Sequence, residues 1–126
     1  MTELLTPSND QDWQSVRTLL REYAAQVGVD LCFQGFEAEL AGLPGHYGPP
    51  RGAMLVARVD GELAGCCALR PLDNTDYANA CEMKRLFVRP VHRGQGLGRR
   101  LATQIIHEAI TLDYTVMRLD TLDGGD

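Results

Sequence analysis

The residues whose types and spacing point to chemistry form the run Arg93-Gly94-Gln95-Gly96-Leu97-Gly98. It follows an apolar stretch, Leu86-Phe87-Val88, and precedes apolar residues at helical spacing. Three alternating glycines at a strand-to-helix junction leave backbone N–H groups uncovered by side chains. Such groups close on phosphate oxygens, and the helix N-terminus adds the positive end of its dipole.

The charge around this turn agrees. Six of the chain's 12 lysines and arginines (Lys84, Arg85, Arg89, Arg93, Arg99 and Arg100) fall within residues 83–100, where no acid occurs. All 17 acidic residues lie elsewhere, and the chain as a whole carries −5. A local excess of cations in an acidic chain calls for a phosphate-bearing ligand. The acidic total argues against non-specific nucleic-acid binding.

The spacing decides between phosphate motifs. A nucleotide phosphate loop needs G-x-x-x-x-G-K-[ST], and no Lys follows Gly98. The dinucleotide fingerprint needs G-x-G-x-x-G, whereas the order here is G-x-G-x-G. What remains is Arg-x-x-Gly-x-Gly with Val88-Arg89-Pro90 before it and Leu101 after it. This resembles the acyl-CoA-binding motif of the GNAT superfamily, the acetyl-CoA-dependent N-acetyltransferases. The resemblance runs over residues 2–120.

That resemblance implies roles for particular residues. Acetyl-CoA is the expected cosubstrate. Its pyrophosphate lies against Arg93, Gly94, Gln95, Gly96, Leu97, Gly98 and Arg99, and its pantetheine pairs with the backbone of Leu86, Phe87 and Val88, where the fourth and fifth strands splay. A backbone N–H there polarises the thioester carbonyl. The acceptor amine must lose a proton, and Glu82 is the candidate base. It lies four to six residues upstream of that stretch, roughly 13–20 Å along a strand. Period-two alternation puts Glu82, Lys84, Leu86 and Val88 on one face, and Cys81, Met83, Arg85 and Phe87 on the other. The bland reading, of equal weight, is that Glu82 pairs with Lys84 or an arginine as a structural ion pair. His46 and Tyr47, in a loop bordering the acceptor pocket of that fold, read more as plain loop residues than as substrate contacts.

The elements that must position these residues read as follows. A short strand covers residues 3–5. Ser8 to Gln11 has capping-box form. Trp13, Val16, Leu19, Leu20, Tyr23, Ala24 and Val27 recur at helical spacing, and Gly28 ends that helix. A second helix spans 36–43 and a loop 44–50. Strands at 54–59 and 63–69 join through Asp60-Gly61, a strong hairpin signal. A loop at 73–79, a strand at 81–88, a helix at 96–111 and a strand at 116–119 complete the pattern. The order β-α-α-β-β-β-α-β predicts an α/β (α+β) fold, with a mixed, mostly antiparallel sheet flanked by helices.

A chain of 126 residues is one domain. No apolar run is long enough for a membrane span, and no signal-peptide pattern opens the chain. Cys32, Cys66, Cys67 and Cys81 form no C-x-x-C pair, and His46, His92 and His107 show no ligand spacing. They read as reduced core thiols in a cytoplasmic protein without a metal.

In the family a helix and two strands follow the fifth strand, and that helix carries the tyrosine that reprotonates the leaving thiolate. The run 119–126 does not match them, so the resemblance implies a C-terminally short domain. Tyr114 does not match the tyrosine's position. The expected activity is acetyl transfer to a small-molecule or protein amine. The alternative is an impaired CoA-binding or structural module, and the open edge of the fifth strand suggests a homodimer.

Overall fold

The computed structural model describes residues 1–27, 35–73 and 75–119. Five strands form one sheet in the order β1-β2-β3-β4-β5. They are β1 (Thr2–Leu5), β2 (Ala53–Val59), β3 (Glu62–Leu72), β4 (Ala80–Val88) and β5 (Val116–Leu119). All neighbours pair antiparallel except β4 and β5, which are parallel. A parallel pair needs a crossover, and α3 (Leu97–Thr111) supplies it. The other helices are α1 (Asp10–Val27) and α2 (Phe36–Ala41). This is the predicted element order and the predicted mixed sheet.

Apolar side chains leave both faces of the sheet. On one face Val16, Leu19, Leu20 and Tyr23 of α1 and Leu40 of α2 pack on Met54, Val56, Cys66, Ala68 and Phe87. On the other, Leu97, Leu101, Ile105 and Ala109 of α3 pack on Leu55, Cys67, Leu69, Cys81 and Met83. Cys66 and Cys67 therefore enter opposite cores, as strand alternation requires.

Local details depart from the sequence reading. Asn9, not Ser8, caps α1: its Oδ1 accepts from the Asp12 N–H at 2.8 Å, while Asp12 Oδ2 accepts from the Ser8 N–H. An amide side chain one residue later makes the cap, and the Asp12 carboxylate binds back to Ser8 rather than to the cap residue itself. The second helix stops at Ala41, two residues early, with Gly42 as its C-cap. The loop that follows contains a turn of 3-10 helix at Gly45–Tyr47. The third strand runs on to Leu72 through Pro71. The Asp60-Gly61 turn has positive φ at both residues, 51° and 84°, as a hairpin of this type demands. The predicted helix end at Gly28, Cys32, and residues 120–126 lie outside the described residues.

The departure that matters most is in β4. Cys66 pairs with Phe87 and Ala68 with Lys84, so Arg85 and Leu86 together face Cys67. This is a β-bulge, with Arg85 at φ 61°. The extra residue resets the alternation. Phe87 enters the core under α1, opposite to the face occupied by Met83. The expectation that Met83, Arg85 and Phe87 share a face is therefore wrong beyond Lys84. Gly65 on β3 permits the close approach here, since a Cβ on it would lie 2.4 Å from the Phe87 carbonyl oxygen.

Candidate active site

The glycine run folds as a phosphate-binding turn would. Pro90–His92 make a short 3-10 turn after β4, and the chain then enters α3 through Gly94 at φ 84° and Gly96 at φ 78°. L side chains rarely adopt such φ values, so glycine is needed at both positions. Gly96 is the N-cap of α3 and offers no side-chain cap. The first amides of a helix have no intrahelical acceptor, so Leu97, Gly98 and Arg99 present theirs outward. A Cβ at Gly94 or Gly96 would meet nothing within 4 Å, so the turn is bordered by open space. These features fit an anionic diphosphate.

β4 has a free edge where pantetheine is expected. β5 pairs with Ala80 to Met83 only. Among the described residues, no strand pairs with the backbone of Leu86 to Val88 on that edge. Leu86 is exposed there, whereas Phe87 is buried. The Val88 carbonyl accepts a hydrogen bond from Arg93 Nε at 2.8 Å. Arg93 also donates to the Gln26 side chain at 2.7 Å.

The local cations divide into two groups. Arg85 is buried and makes a bidentate pair with Glu39 of α2, Nε–Oε2 3.1 Å and Nη2–Oε1 2.8 Å. Arg89 pairs in the same way with Glu22 of α1 at 2.8 and 2.7 Å and also donates to the Leu63 carbonyl. These two charges are neutralised and hold helices to the sheet. Arg99 and Arg100 are exposed at the start of α3, and their side chains form no hydrogen bond or ion pair among the described residues. The sequence count of six cations therefore overstates the positive charge open to a ligand by at least Arg85 and Arg89.

Glu82 lies on β4, almost covered, with Arg70 of β3 as its cross-strand neighbour. Arg70 Nε is 3.4 Å from Glu82 Oε1. An arginine of the neighbouring strand, Arg70, is thus an ion-pair partner of Glu82. Tyr47 is not a surface contact: it is buried, and its hydroxyl donates to Glu39 Oε2 at 3.2 Å. Burial raises the Tyr47 pKa above the ordinary phenol value, and the Glu39 charge adds to the rise. For Arg85, burial acts to lower the pKa, but the hydrogen bond to Glu39 and the neighbouring charges outweigh it and the net shift is upward. His46 is exposed. Tyr114 donates to the Arg51 carbonyl at 2.6 Å, a structural contact.

Sequence reasoning missed the Glu39–Arg85–Tyr47 cluster and anticipated an arginine beside Glu82 without naming Arg70. The available signal was Lys84-Arg85 interrupting an apolar strand. A cavity of about 560 Å³, lined by Asn9, Trp13, Arg17, Leu43 and Pro44 among others, opens beside the start of α1. It touches neither β4 nor the glycine turn, so it is not where the chemistry above converges.

A five-stranded mixed sheet, a bulged fourth strand and an uncapped glycine turn before α3 accord with the acyl-CoA site that the sequence leads one to expect. The chain belongs to the Acetyltransferase (GNAT) family, whose match covers residues 13–125. It is thereby an acyl-CoA-dependent N-acetyltransferase by class. An uncharacterized N-acetyltransferase of Schizosaccharomyces pombe is 46% identical over 114 residues, 90% of this chain and 68% of that protein. One from Escherichia coli is 26% identical over 113 residues, 88% of this chain and 67% of that one. Among solved structures, an acetyltransferase of Clostridium acetobutylicum with acetyl-CoA superposes with TM-score 0.79 at 10% identity, over 96% of this chain and 81% of that one. An aminoglycoside N-acetyltransferase in complex with CoA gives TM-score 0.74 at 17% identity, over 96% and 77%. These likenesses establish the fold.

Proposed function

We propose that this enzyme binds acetyl-CoA with its pyrophosphate on the amides of Gly94 to Arg99 and its pantetheine along the free edge of β4 at Leu86, Phe87 and Val88. It then passes the acetyl group directly to an amine. The observation that carries this is the uncapped N-terminus of α3 behind two left-handed glycines, Gly94 and Gly96, adjoining a strand edge unpaired among the described residues.

Acetyl-CoA supplies the activated thioester. Glu82 takes the proton that the amine gives up as its nitrogen bonds to the acetyl carbon. The C–S bond breaks, and the thiolate takes up a proton. The Arg70 contact holds the Glu82 carboxylate in place. Arg99 and Arg100, exposed and without a side-chain partner among the described residues, would face the phosphates. The acceptor is a primary amine of a small molecule or protein. The buried free thiols Cys66, Cys67 and Cys81 accord with a reducing, cytoplasmic setting. The side of β5 away from β4 has no partner strand among the described residues and would suit pairing with a second copy of the chain.

Thiol release from acetyl-CoA with a panel of amines tests the reading. Turnover should occur, and Glu82→Gln should lower kcat by about 10²–10⁴-fold, the usual contribution of a positioned base. Unchanged kcat in that variant removes Glu82 from the mechanism. Light scattering that shows a monomer at working concentration removes the dimer.

A further inference from the structure

The register of the sheet aligns three charges. Arg70 on β3 is the partner of Glu82 on β4, and Glu82 is the partner of Arg118 on β5. Register partners on neighbouring strands project from the same face. The row reads plus, minus, plus, with the proposed base at its centre.

We propose that the acceptor is an amine bearing a carboxylate close to its nitrogen, as in an amino acid, with the carboxylate received by Arg70 or Arg118. This rests on the acyl-transfer reading of the same site. Two observations carry it. Arg70 Nε lies near Glu82 but is a buried donor with no hydrogen-bond partner among the described residues. The Arg70 side chain as a whole is 37% exposed, so the outer N–H groups of its guanidinium are open to an acceptor oxygen. Arg118 is exposed and forms no ion pair or hydrogen bond among the described residues. Guanidinium groups present flat arrays of N–H donors suited to carboxylates.

A zwitterion complements this row. Its nitrogen goes to the carboxylate of Glu82 and its carboxylate to either flanking guanidinium. A polycationic amine would set its extra charges against Arg70 and Arg118. The phosphates of CoA do not compete for the row. Glu82 is the third residue of β4, whereas the glycine turn lies beyond the strand's far end, roughly 20 Å or more along the chain from Glu82.

The test compares alanine with ethylamine and alaninamide. Thiol release should show kcat/KM for alanine at least tenfold above both. Arg118→Gln, at an exposed position that folding tolerates, should raise KM for alanine about tenfold more than for ethylamine, and Arg118→Lys should restore part of the difference. Arg70→Gln should act in the same direction. Equal efficiency for the three amines overturns the proposal and leaves acetyl transfer standing. Calorimetric titration of the amines into the CoA-saturated protein reads the preference without turnover. Selective binding of alanine supports the proposal, and equal or absent binding overturns it. Alanine-selective binding with no thiol release from any amine overturns the acyl-transfer reading instead.

Discussion

The Arg85 guanidinium donates two hydrogen bonds to the Glu39 carboxylate, at 3.1 and 2.8 Å, from the bulge of β4 to the short helix α2. Its carbon also lies 5.8 Å from the Tyr23 ring centroid and 5.7 Å from that of Phe36. One side chain thus ties both helices of that face to the strand that carries the proposed cofactor edge. An arginine at φ 61° is strained, and this set of contacts holds it there.

Removing one partner of a buried pair leaves the other uncompensated. Glu39→Gln should therefore destabilise the fold by about 3 kcal/mol. The double variant Glu39→Gln with Arg85→Met should lose less than the sum of the single losses, because no buried charge is then left alone. Urea unfolding of the three variants measures this. Additive losses would mean that the two residues act separately.

Much of this architecture was legible in the sequence, because it rests on local rules. The helical period of Val16, Leu19, Leu20 and Tyr23 defined α1, the Asp60-Gly61 pair the β2–β3 hairpin, and the alternating glycines the turn before α3. The bulge at Arg85 was not legible. It depends on β3 and β4 meeting with Gly65 beneath the Phe87 carbonyl, a relation between distant residues. Every face assigned after Lys84 depended on it. The pairs Arg85–Glu39 and Arg89–Glu22 are also long-range, and they turned two of the six apparent ligand cations into structural ones.

The glycine turn makes a second prediction. Gly96→Val places a branched side chain at φ 78°, a conformation costing about 1–2 kcal/mol for an L residue, and covers the amides a pyrophosphate would reach. CoA binding should be abolished. Gly98→Ala separates the two effects. Its new Cβ would sit 3.7 Å from Val88 Cγ2, ordinary contact, so folding should be unaffected. Calorimetry with CoA on both variants checks this. Unchanged affinity in Gly96→Val, with the protein folded, would refute the site assignment.

The division of the arginines makes a third. Arg99→Gln should weaken CoA binding and flatten its salt dependence while leaving the melting temperature unchanged, since Arg99 is exposed and unpaired among the described residues. Arg89→Gln should lower stability by about 1–2 kcal/mol, because Glu22 and the Leu63 carbonyl lose their charged donor. Thermal unfolding beside a CoA titration at two ionic strengths distinguishes them. A larger loss of CoA affinity in Arg89→Gln than in Arg99→Gln would reverse the assignment.

The buried thiols make a prediction about pH. Burial pushes the Cys67 thiol from its ordinary value near 9 up to about 12. The folded state therefore keeps the neutral thiol where the unfolded chain has begun to ionise. The contribution is fully present below pH 9 and is lost as pH rises toward 12. Within that window one such group loses about 1.4 kcal/mol per pH unit. Cys67→Ala removes this group and adds a cavity cost that does not depend on pH. The stability difference between the wild-type protein and Cys67→Ala should therefore shrink by about 2 kcal/mol between pH 8 and pH 10.5. Urea unfolding of both proteins at those two pH values decides it. A difference that stays constant would show that the Cys67 thiol titrates alike in the folded and unfolded chain.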